Sequence, residues 1–135
     1  MKNKTEVDSY FKGFRYIVKF MEDGHRNGYV QINDFDVFEK IKNQYNDCLN
    51  VDIDCHGGIT FVKEMKDSEY LPDGNWIGFD CNHLYDGHDF ELSIKIFGNS
   101  DYIERMKRLF DYEEGEIKSK DFCEDECKKI IEQIL

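Results

Sequence analysis

No run of apolar residues in this chain approaches the length a membrane-spanning helix needs, and Met1-Lys2-Asn3-Lys4-Thr5-Glu6 leads into no apolar signal segment. The chain is therefore expected to stay in the cytosol of the cell that makes it. Basic residues are also scarce: 18 Lys and Arg stand against 29 Asp and Glu, for a formal net charge of −11. Sequence-independent binding of DNA or RNA needs a basic footprint, so that class of partner is not expected. The balance suits solubility, an enzyme for a small substrate, or a protein that meets a basic surface on another protein.

The five cysteines (Cys48, Cys55, Cys81, Cys123, Cys127) are an odd count without paired C-x-x-C spacing. They are expected to be free thiols that behave as small hydrophobes. Cys123 and Cys127 lie one helical turn apart but lack a second ligand pair nearby, so a zinc site built on them is not expected. There is no internal repeat and no low-complexity tract. Eleven Phe, eight Tyr and one Trp argue against disorder, and 135 residues suffice for one core and not for two ordinary domains.

Phe14, Tyr16, Val18 and Phe20 alternate with the period of a half-buried strand. Asp23-Gly24 and Asn27-Gly28 offer turn chemistry before a returning strand, Tyr29-Val30-Gln31-Ile32. Asn33 or Asp34 can cap a helix with Phe35, Phe38, Ile41 and Tyr45 on one side. Val51-Asp52-Ile53 reads as a short extended piece. Gly58 to Lys63 and Trp76 to Cys81 read as strands, joined by a loop with Pro72 and Asp73-Gly74. Phe90, Leu92, Ile94 and Ile96 alternate most cleanly and read as a strand. A helix is expected from Ser100 or Asp101 with Ile103, Met106 and Phe110 together, then a charged connection from Asp111 to Lys120. A last helix is expected with Asp121 and Glu124 at its cap and a stripe of Cys123, Cys127, Ile130, Ile131 and Ile134. The sum is one α+β domain over residues 1–135: a mainly antiparallel sheet of about five strands with two to three helices on one face.

The chemically distinctive residues are two polar runs, His56-Gly57-Gly58-Ile59-Thr60 and Trp76-Ile77-Gly78-Phe79-Asp80-Cys81-Asn82-His83. Pairing the two central strands so that Val62 opposes Trp76 also sets Thr60 opposite Gly78 and Gly58 opposite Asp80, and brings His56 beside Asn82 and His83. A slip of one residue would turn every side chain over. This register gathers His56, Thr60, Trp76, Asp80 and His83 at one end of a hairpin, with glycines that allow close approach.

Several readings of that cluster stand side by side. His56 and His83 can be hydrogen-bonded structural histidines, with Asp80 capping a loop. A divalent metal such as Zn²⁺ or Fe²⁺ could be held by His83, Asp86 and His88, with His56 or Asp80 completing the shell. Histidine beside a carboxylate also suits acid–base chemistry near neutral pH. A nucleophilic Cys81 is disfavoured because it shares the apolar face with Phe79. Finally, the cluster can be a binding pocket in which Trp76 stacks on a ring while Thr60, Asp80 and His83 orient it.

Three ordered motifs carry a family resemblance. Gly24-His25-Arg26-Asn27-Gly28-Tyr29-Val30, His56-Gly57-Gly58-Ile59-Thr60-Phe61 and Trp76 to His83 with Asp86 resemble a group of small phage and prophage proteins whose pattern reads approximately GHRCGYV, HGGLTY and WWIGFDCAHAGD. The chain departs from it at Asn27, where the family has Cys, and at Leu84-Tyr85 before Asp86; His88 lies outside it. The resemblance implies a setting among mobile elements, and it favours His56, Asp80, His83 and Asp86 as site residues, joined by Arg26. The expectation is an accessory binding protein that interferes with host defence by holding a nucleotide-like ligand or a host protein with a basic surface. A small hydrolase, using metal or His/Asp acid–base chemistry, and a structural protein without a site are the alternatives.

Overall fold

The computed structural model describes residues 1–47, 51–110 and 115–135. Five strands form one antiparallel sheet in the order β1-β2-β3-β5-β4: β1 (Asn3–Phe11), β2 (Phe14–Met21), β3 (Arg26–Gln31), β4 (Phe61–Met65) and β5 (Gly74–Asp80). Four helices accompany it: α1 (Phe35–Asn46), α2 (Phe90–Phe97), α3 (Asp101–Phe110) and α4 (Lys120–Ile134). The α+β class and the antiparallel sheet are as the sequence predicts. Among the described residues no helix is long and apolar enough to cross a membrane. Cys48 and residues 111–114 of the charged connection lie outside the described residues.

The sheet has five strands, but not the five expected. The segment Phe90 to Ile96 is helix α2, so its alternation is coincidental. Phe90, Ile94 and Phe97 also fall at helical spacing, and the ends decide the outcome. Asp89 Oδ1 accepts the Leu92 amide at 3.0 Å, and Gly98 closes the helix with φ +81°. Ser93, fully buried on this helix, donates its hydroxyl to the Glu22 carbonyl, and Phe97 stacks on Phe20. The missing strand is β1, at the N-terminus. Its charged residues are held by ion pairs across the sheet: Arg15 of the adjacent β2 grips Asp8 with two bonds of 2.9 and 2.7 Å, and Arg26 at the start of β3 grips Glu6.

Other local features also differ from expectation. Asn27-Gly28 lies inside β3; the turn falls at residues 22–25, where Gly24 has φ +90°. Val51-Asp52-Ile53 is irregular and not a strand. Helix α1 is capped by Asp34, with Phe38 and Ile41 buried, but Phe35 is exposed. Helix α4 is capped by Ser119, whose hydroxyl accepts the Phe122 amide at 3.0 Å, so Asp121 sits in its first turn instead.

The sheet carries a core on each face. On one, Tyr16, Val18, Val30, Ile77 and Phe79 pack against α1 and against Cys123, Cys127, Ile130 and Ile131 of α4. On the other, Ile17, Tyr29 and Trp76 pack with Leu71 from the loop between β4 and β5. Each fully buried large apolar side chain contributes about 1.5–3 kcal/mol, so α4 anchors the helical layer.

Strands β4 and β5 are antiparallel neighbours as predicted, but their register differs by one residue. Phe61 opposes Gly78, Val62 opposes Ile77 and Lys63 opposes Trp76. The slip begins at Thr60, whose amide donates to the Gly78 carbonyl at 2.9 Å while Phe61 is the ladder partner of the same glycine. Two residues oppose one, as in a β-bulge. Phe61 and Val62 thereby exchange the faces that simple alternation assigned them: Val62 joins the helix-side core and Phe61 joins Trp76.

Candidate functional site

The bulge brings part of the expected cluster together despite the changed register. Thr60 Oγ1 donates to Asp80 Oδ2 at 2.8 Å at the end of β5, and the Asn82 amide donates to Asp80 Oδ1 at 3.1 Å. His83 Nε2 lies 3.3 Å from Asp80 Oδ1, within ion-pair range but without hydrogen-bond geometry. Thr60 is exposed and Asp80 is partly exposed. This half of the site can meet a ligand.

The second half is deeper. Asp86 is 1% exposed, and both its carboxylate oxygens lie 2.9 Å from His56 Nε2. The His83 amide donates to Asp86 Oδ2 at 3.0 Å, and Lys118 Nζ stands 3.4 Å from Oδ1. Burial works to raise this carboxyl, but His56, the His83 amide and Lys118 outweigh it and hold it below the usual carboxylate range. The halves join where the His56 and His83 rings meet edge to face, with centroids 5.7 Å apart. His83 thus touches Asp80 through its ring and Asp86 through its backbone.

The turn that carries His56 explains the glycines. The Gly58 amide donates to the Cys55 carbonyl at 2.9 Å, and Gly57 adopts φ +68°. A Cβ on Gly57 would stand 2.0 Å from His83 Nε2. The backbone therefore lies directly against the imidazole, which only glycine allows.

Two expected site residues have other roles. Trp76 is fully buried on the loop-side core, and its Nε1 donates to the Pro72 carbonyl at 2.8 Å. It cannot stack on a ligand in this arrangement: it shares the loop-side face with Asp80, but Leu71, Phe61, Met65 and Tyr70 pack around it and enclose it. As the only tryptophan, it should give blue-shifted emission that acrylamide quenches weakly until the protein unfolds. Quenching of the native protein as strong as that of free tryptophan would contradict this placement. Arg26 is 7% exposed; it holds Glu6 at 2.6 Å and the Lys118 carbonyl at 3.0 Å, and so helps position Lys118 beside Asp86.

The metal reading gains no geometry. Among the described residues, no three His, Cys, Asp or Glu side chains are arranged to hold a metal ion. His83 offers Asp86 its amide and not its imidazole, and His88 is turned to Asn82 Oδ1 at 2.9 Å and stacked on Phe110. A nucleophilic cysteine gains none either. Cys81 is buried with its Sγ 3.5 Å from Cys123 Sγ, and that contact and burial push its thiol far above the usual range. Burial likewise pushes Cys55 up to about 12.

Sequence reasoning missed Lys118, whereas Asn82 and Gly57 stand in the two polar runs without an individual role. The first lies 32 residues beyond Asp86, the last residue of the motifs, and reaches it because the backbone at Glu116 bridges to Asp86. No signal in its neighbourhood points there. Comparison with known proteins adds no further constraint: the chain matches no family model, no curated protein and no solved structure.

Proposed function

We propose that this chain is a small binding protein, an accessory factor of phage type, which holds a nucleotide-like ligand at the end of the sheet formed by Thr60, Asp80, His83 and His56. The observation that carries this reading is the partly exposed Asp80 carboxylate, fixed by Thr60 and the Asn82 amide beside His83. A carboxylate so oriented accepts the paired N–H donors of a nucleobase edge or similar group. His56 and His83 add further hydrogen-bonding edges, and the buried Asp86 and Lys118 hold them in place. The resemblance to mobile-element proteins suggests interference with host defence by sequestering a nucleotide signal. Capture of a basic host protein through the same acidic end is the other outcome the test allows.

The test is a thermal-shift and calorimetric screen of nucleotides, with pull-down from host lysate, run on the wild type and on Asp80→Asn. Asp80→Asn keeps the shape and removes the charge, and it should weaken ligand or partner capture about tenfold or more while changing stability little. If neither protein takes up a nucleotide or a partner, the binding reading fails.

One observation favours a second reading. A buried Asp86 that holds His56 through Nε2 leaves Nδ1 as the nitrogen able to exchange a proton, an arrangement suited to general acid–base hydrolysis. Turnover of any ester or phosphoester that disappears in His56→Gln would favour it over simple binding.

A further inference from the structure

The loop-side face of the sheet contains a cation that no acid among the described residues accompanies. Lys19 is 4% exposed on β2. Its Nζ donates to Asn3 Oδ1 at 2.9 Å and lies 4.5 Å from the centre of the Tyr70 ring, and among the described residues it has no ion pair. Arg26, the other strongly buried cation of the sheet, is paired with Glu6. Burying an ammonium group without a countercharge is costly, so its retention calls for an explanation.

The neighbouring residue on β3 is also incomplete. Asn27 is the cross-strand partner of Lys19 on one side and of Asp80 on the other. Its Nδ2 donates to Tyr29 Oη at 3.1 Å, while its buried Oδ1 has no hydrogen-bond partner. Tyr29 Oη is in turn hydrogen-bonded to Tyr70 Oη. A half-turn of the carboxamide gives Oδ1 the Tyr29 hydroxyl as its donor, since either end of an amide can face a hydroxyl. Tyr70 then donates to Tyr29 in place of Met21 Sδ, 3.7 Å away, Tyr29 donates to Oδ1, and Nδ2 becomes a free donor across the strands from Lys19. Two donors, one of them charged, would occupy facing positions on β2 and β3, and the acceptor that Lys19 meets, Asn3 Oδ1, is neutral.

We infer that Lys19 and Asn27 form an oxyanion subsite, which takes a phosphate or carboxylate group of a small ligand in place of Asn3 Oδ1. The subsite lies in the same cross-strand row as Asp80, two strands away, which corresponds to roughly 10 Å. A ligand with an oxyanion at one end and N–H donors at the other can span the row, its donors meeting Asp80 beside Thr60. Lys19 is poised for this exchange, because burial lowers its pKa with no carboxylate to offset the effect, and an arriving oxyanion supplies the missing countercharge. This inference deepens the binding reading above and rests on it for the Asp80 end alone.

The test uses the full chain with inorganic phosphate and acetate as probes, each compared with chloride at equal ionic strength. Binding is followed by calorimetry and by the amide and side-chain resonances of Asn27. Phosphate or acetate should perturb Asn27 in the wild type, and the stronger of the two identifies the oxyanion. Lys19→Met keeps the apolar stem and should weaken that binding about tenfold or more while the protein remains folded. Asn27→Asp, which supplies an internal carboxylate beside Lys19, should abolish the response by occupying the ammonium. Equal responses to both anions and chloride in the wild type, or an undiminished response in folded Lys19→Met, would overturn the subsite. The result is separable from the Asp80 test: phosphate binding that depends on Lys19 stands even if Asp80→Asn leaves nucleotide capture unchanged.

Discussion

Replacing Asp86 with alanine is expected to cost about 3–5 kcal/mol of stability, the range seen when one member of a buried charged pair is removed. The carboxylate is fully enclosed and is shared by His56 Nε2, the His83 amide and Lys118 Nζ. Alanine leaves all three without their acceptor, and two of them can carry positive charge. Urea unfolding of the variant measures the loss. A double cycle with His56→Ala separates the pair from the rest: if the two losses simply add, His56 and Asp86 are not coupled and the account of the deeper half of the site fails. The same group sets an acid limit. The folded carboxyl titrates below its unfolded value of about 3.9, so its stabilising contribution is complete above that value and is lost as the pH falls through the lower folded one. Wild-type stability should therefore fall steeply below about pH 4, and Asp86→Ala should flatten that part of the curve.

Gly57→Ala is expected to be the most damaging small substitution at the ligand end. Alanine at φ +68° pays about 1 kcal/mol for the left-handed backbone, and its methyl group would occupy space now held by His83 Nε2. Either the turn opens or the imidazole leaves Asp80. Gly58 is the internal control. Its φ is +79°, yet a Cβ there meets nothing within 4 Å. Gly58→Ala pays the backbone cost alone, so Gly57→Ala should be worse by a further 1–3 kcal/mol or so, the usual range for overpacking. Equal unfolding midpoints for the two variants would show that His83 yields freely and that its position is not fixed by the turn. The His83 ring resonances should shift in Gly57→Ala and stay in place in Gly58→Ala.

The features legible in the sequence were those with a local cause. Helix α1 follows from Asp34 and the spacing of Phe38 and Ile41, and β2 follows from strict alternation. The neighbourhood of His56, Thr60, Asp80 and His83 followed from pairing two strands, and it survived an error of one residue because the bulge at Thr60 restores the expected contact with Gly78 just where the site begins. What alternation could not reveal was the bulge itself, since a two-against-one pairing leaves the composition of both strands unchanged. Alternation gives the face of Trp76 but not the loop-side cluster with Leu71 that encloses it. Helix α2 was hidden because its apolar residues fit both periods, and only Asp89 and Gly98 at its ends distinguish them. Nothing in the sequence marks Lys19, and Asn27 stands out only as a departure from the family pattern. Their interest arises from burial and adjacency across strands.

The first strand was hidden by its charges, and those charges have a second effect. As the outermost member of the sheet order, β1 leaves one row of backbone donors and acceptors facing outward. Such a row is a template for sheet growth by other chains. Here Lys4, Glu6 and Asp8 punctuate it, and the pairing with β2 is interrupted between Thr5 and Val7. An approaching strand would have to bury the exposed Lys4 and Asp8 and follow the break in pitch. The residues that disguise β1 as a solvated tail thus also protect the open border of the sheet against fibre-like stacking.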